Sequence, residues 1–74
     1  MNIKLRNNRE VTVALMQLWE DIDGLEFVIV ASDPLRRDCF VISMLQDDVP
    51  HTYADEEFLK TCYLIEEDYS PRRK

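Results

Sequence analysis

Glycine is nearly missing from this 74-residue chain, which holds only Gly24. A phosphate-cradling loop needs several glycines so that backbone amides can approach the ligand, so that class of nucleotide site is excluded. The same scarcity weighs mildly against a turn-rich barrel. Two cysteines, Cys39 and Cys62, are too few for a disulfide scaffold and have no metal-ligand spacing. Their expected role is that of small buried hydrophobes in a reduced, cytoplasmic setting. A single histidine, His51 beside Pro50, leaves no partner for a histidine metal pair. No apolar run approaches the ~18–20 residues of a membrane helix, and the opening residues lead into no signal-peptide core.

What the chain does have is acid. The net charge is −6, and the eight acids Asp47, Asp48, Asp55, Glu56, Glu57, Glu66, Glu67 and Asp68 face one base, Lys60, within their stretch. The rest of the chain is close to neutral. Arg72-Arg73-Lys74 follow Ser70-Pro71 and read as a flexible basic tail over residues 70–74, behind a single domain over residues 1–69. Nucleic-acid binding needs Lys and Arg against phosphate, and this charge pattern opposes it. The acids either keep a small domain soluble or present negative charge to the basic surface of a protein partner.

Hydropathy patterning points to a mainly β, α+β fold. Asp23-Gly24 marks a hairpin, read as a two-residue type I′ turn that pairs Ile22 with Leu25, Glu20 with Phe27 and Leu18 with Ile29. That register puts Met16, Leu18, Ile22, Leu25, Phe27, Ile29 and Ala31 on one apolar face. Trp19, Val28 and Val30 then share a mixed face with Gln17, Asp21 and Glu26. The apolar run Cys39 to Leu45 adds a central strand, giving a meander over residues 15–22, 25–32 and 38–45. A short helix is expected near residues 54–61, with acids in its first turn, and Cys62 to Glu66 reads as a returning edge strand. Residues 9–19 admit strand or helix, with strand preferred because Val11-Thr12-Val13 is β-branched.

The run Trp19 to Val30, a second apolar strand, then Asp55-Glu56-Glu57-Phe58-Leu59-Lys60 with Tyr63-Leu64-Ile65-Glu66 behind it resembles short phage and prophage proteins built as small SH3-like barrels. The resemblance implies a small antiparallel SH3-like barrel or meander, and a phage-type accessory protein acting inside a bacterial cell. It carries over no catalytic residue.

Chemistry-bearing motifs are sparse. Glu20-Asp21-Ile22-Asp23-Gly24 lacks the oxygen ligands and terminal glutamate of a calcium loop and reads as a structural turn. Catalysis is not expected, and neither a cofactor nor a metal is indicated. Trp19 either closes a second core layer or, left uncovered, forms an aromatic patch with Tyr53 or Tyr63. Together these features imply a non-catalytic binding module. The acids and an aromatic anchor, Trp19 or Tyr53, would engage a basic partner, in the sharper form inhibiting a host nucleic-acid-handling or defence complex. The alternative is a structural homo-oligomer, such as a homodimer, or a subunit of a larger assembly.

Overall fold

Ile3, Leu5, Val11 and Val13 alternate with exposed neighbours, so the N-terminal hairpin presents one apolar edge. The computed structural model, which describes residues 1–46 and 52–69, uses that edge as a cover for a larger sheet. Strands β1 (Asn2–Lys4) and β2 (Glu10–Thr12) form a two-stranded antiparallel sheet. Strands β3 (Leu18–Glu20), β4 (Glu26–Ser32), β5 (Cys39–Met44), β6 (Thr52–Asp55) and β7 (Tyr63–Glu66) form a second, in the order β6-β5-β4-β3-β7. A short helix, α1 (Glu56–Lys60), links β6 to β7 and is the one helix among the described residues. All pairings are antiparallel, so the expected mainly β meander with a short helix is what is seen. The larger sheet does not close into a barrel, because β6 and β7 lie at opposite edges. Residues 9–19 contain strand and no helix. No helix among the described residues is long and apolar enough to cross a membrane.

The two hairpins close by the same device. In the first, Leu5 N donates to Arg9 O at 2.8 Å and Asn8 N to Leu5 O at 2.9 Å, with Asn8 at φ 69. In the second, Asp21 N donates to Leu25 O at 2.9 Å and Gly24 N to Asp21 O at 3.0 Å, with Gly24 at φ 85. Each is a three-residue loop whose third residue adopts the left-handed conformation that asparagine and glycine tolerate.

This corrects the expected register at Asp23-Gly24. A type I′ turn needs positive φ at both central residues, and only Gly24 has it. The Asp21 carboxylate decides the matter, since Oδ1 accepts from Asp23 N and Leu25 N, both at 2.9 Å. That local bond widens the loop by one residue and slips the pairing to Leu18–Val28, Trp19–Phe27 and Glu20–Glu26. A one-residue slip exchanges faces along one arm. The core face is therefore Trp19, Phe27 and Ile29, while Ile22 and Leu25 are exposed at the loop. The first arm is also shorter than the 15–22 expected, because Met16 at φ 67 breaks its extension.

The core is the space between the N-terminal hairpin and the inner face of the larger sheet. Ile3, Leu5, Val11 and Val13 close over Trp19, Phe27, Ile29, Phe40, Ile42, Ala54 and Leu64, with Leu59 and Cys62 sealing one side. Met16 links β4 to the segment after β7 through its backbone. Its N donates to Ile29 O and its O accepts from Tyr69 N, both at 2.7 Å. Helix α1 is shorter than residues 54–61, since Ala54 and Asp55 still belong to β6.

Candidate functional site

Asp55 sits where β6 turns into α1. Its backbone is extended at φ −95 and ψ 177, and its Oδ1 accepts from Phe58 N at 2.9 Å, so it caps the helix. Glu56 and Glu57 occupy the first turn, where the exposed N–H groups favour negative charge. Lys60 in the last turn reaches back to Glu56 at 3.2 Å and Glu57 at 3.5 Å. The hydrogen bond that Lys60 donates to Glu56 and the charge of Glu57 raise the Lys60 pKa. Glu57 nevertheless keeps 84% of its side chain exposed.

Tyr53 lies two residues before Asp55 on β6, so both project from the same face of the sheet, away from the core residue Ala54. At 62% exposure it is the most exposed aromatic side chain among the described residues. An exposed aromatic residue thus shares a face with Asp55, and Glu56 and Glu57 follow it in the chain.

The remaining acids sit elsewhere. Glu66 pairs across from Leu18, and Glu66, Glu67 and Asp68 are all exposed. Glu67 accepts from the amide of the buried Gln17 at 3.1 Å. The helix-side acids rest on an element packed against β6 and β1, the others beside the start of β3, so the fold separates them into two groups. Asp47, Asp48 and His51, and the tail at 70–74, lie outside the described residues.

Trp19 is corrected as a surface anchor. It is 0% exposed, because the β1–β2 hairpin covers it, and its Nε1 donates to Gln17 Oε1 at 3.1 Å. It therefore lies in the main core, on the face it shares with Phe27 and Ile29, and neither in a second layer with Val28 and Val30 nor in a surface patch. One acidic feature escaped sequence reasoning: Glu20 and Glu26 face each other directly across β3 and β4, and Tyr63 flanks Glu20 on β7. The register slip creates this like-charge pair, so no one-dimensional pattern could have revealed it.

Both thiols are buried. Cys39 Sγ accepts from Arg36 Nη2 at 3.3 Å, and Cys62 Sγ donates to Phe58 O at 3.4 Å. Burial pushes the Cys62 thiol up to about 11. No group of three or more His, Cys, Asp or Glu residues is placed to hold a metal among the described residues. No family model matches the chain, and comparison with curated proteins and with solved structures finds no significant match.

Proposed function

We propose that this chain is a small non-catalytic protein-binding module that presents acid to a basic surface on its partner. The observation that carries this reading is the placement of Tyr53 on an edge strand, on one face with Asp55 and immediately ahead of Glu56 and Glu57. An exposed aromatic residue beside a run of acids is the arrangement that supplies both halves of a binding event. The ring contributes apolar area that slows dissociation, and the charges steer the encounter. Lys60, the lone base of the segment, is already paired with two of those acids.

In its sharper form the module is a phage-type accessory protein in the bacterial cytoplasm. It would inhibit a host nucleic-acid-handling or defence complex by occupying a basic groove. Such binding weakens as salt rises, because surface charges are screened beyond ~10 Å at 0.1 M salt. The double substitution Glu56→Lys and Glu57→Lys tests it: partner binding is lost while the fold is kept, and unchanged binding would remove the acidic reading.

A second reading is favoured by a different observation. Ile22, Leu25 and Leu45 are exposed around the β3–β4 loop, where Leu45 N donates to Glu26 O at 3.0 Å. These apolar side chains suit a homodimer or an assembly subunit. Association of that kind is nearly indifferent to salt, which separates the two readings.

A further inference from the structure

The five-stranded sheet has two edges, and they are treated differently. The β7 edge is guarded. Ile65 is an extra residue in its pairing with β3, the strand ends in Glu66, and Arg9 Nη1 donates to Leu64 O at 3.4 Å. Bulges, charges and covering side chains are the usual ways of stopping a strand from recruiting another. Within Thr52–Asp55 the β6 edge ends in an acid too, Asp55, but it has neither a bulge nor a covering side chain among the described residues. Its register with β5 runs without a shift, it holds no lysine or proline, and among the described residues it pairs with β5 alone.

In an antiparallel ladder alternate residues direct their N–H and C=O groups away from the paired neighbour. The side of β6 that no described strand pairs with therefore offers main-chain donors and acceptors, flanked on one face by Tyr53 and Asp55 and ended by Glu56 and Glu57. We infer that β6 is a strand-addition site that takes an extended basic segment of a partner protein. This rests on the acidic-binder reading above and specifies how the partner is held. Charge complementarity selects the occupant. A side chain beside Asp55 is best basic, and its neighbour beside Tyr53 is best β-branched, so the segment carries Lys or Arg and an apolar residue on one face. A second copy of this acidic chain lacks that complement at Asp55, Glu56 and Glu57.

The probe is the nonapeptide Lys-Thr-Val-Thr-Lys-Thr-Val-Thr-Lys, with an analogue N-methylated at every Thr and Val. The two have the same charge, but the analogue cannot donate ladder hydrogen bonds from those residues. Titrated into the intact chain, the plain peptide should shift and protect the amides of Thr52–Asp55 and bind more weakly as salt rises. The methylated analogue should bind at least roughly tenfold more weakly. Tyr53→Lys, an exposed substitution that guards the edge, should lose a similar factor, whereas Tyr63→Ala on the opposite edge should retain binding. Equal, salt-sensitive binding of both peptides would overturn strand addition and leave the acidic reading standing. Plain-peptide binding at β6 that ignores salt would do the reverse. Perturbation confined to β7, no binding up to about 1 mM, or concentration-dependent pairing of two β6 strands would each overturn the proposal.

Discussion

The indole N–H of Trp19 donates to the side-chain oxygen of Gln17 at 3.1 Å, with both side chains out of solvent. The same oxygen accepts from Ala14 N at 3.0 Å, and the Gln17 amide nitrogen donates to Thr12 O at 2.8 Å and Glu67 Oε1 at 3.1 Å. One buried amide thus satisfies β2, the loop after it, the central tryptophan and the C-terminal acidic segment. Gln17→Met, close in size, would leave the indole N–H, the Ala14 N–H and the Thr12 carbonyl without these partners. It should cost about 2–3 kcal/mol in urea unfolding. Combined with Trp19→Phe, the two losses should fall short of additivity by about 1 kcal/mol.

Gly24 tests the hairpin register. A Cβ there would meet only Glu20 Oε2 at 3.9 Å, so space is not the obstacle and the φ of +85 is. Gly24→Ala should destabilise by about 1–2 kcal/mol, the cost of the left-handed conformation, and Gly24→Asn by less. A loss in the alanine variant no larger than in the asparagine variant would contradict this loop geometry.

The facing carboxylates of Glu20 and Glu26 are an avoidable repulsion. Glu26→Lys turns the pair into an attraction and should stabilise the chain by about 0.5–1 kcal/mol at low salt, with the gain shrinking as salt rises. Thermal unfolding at two salt concentrations measures it.

The Cys62 thiol sets an alkaline limit. Its folded-state pKa, about 11, lies above the 9.0 of a free thiol, because burial penalises the thiolate. The unfolded chain therefore loses this proton first as pH rises. Stability from this group is intact below pH 9 and falls between 9 and 11. Cys62→Ala should flatten that part of the stability profile, and alkylation of Cys62 in the folded chain should be slow at neutral pH.

These relationships explain what the residues disclosed in one dimension. Apolar alternation and Asp23-Gly24 were enough to place the β3–β4 hairpin, and the acids before Phe58 were enough to place α1. The register was not legible, because the Asp21 carboxylate adds a local bond that a dipeptide signal does not contain. The burial of Trp19 depends on Ile3, Leu5, Val11 and Val13 arriving from a separate hairpin, a long-range event without a local signature. The acidic segment was visible as composition. Its division into a helix-side group and a β7-end group was not, since that follows from the strand order.

The most direct test of the acidic-binder account is capture from a bacterial lysate at low and then high salt, with the Glu56→Lys, Glu57→Lys chain run in parallel. The account predicts a defined partner that the unaltered chain retains at low salt and releases at high salt, and that the charge-reversed chain does not retain. Recovery of the chain with only itself at either salt concentration, or equal retention of the partner by the charge-reversed chain, would contradict it.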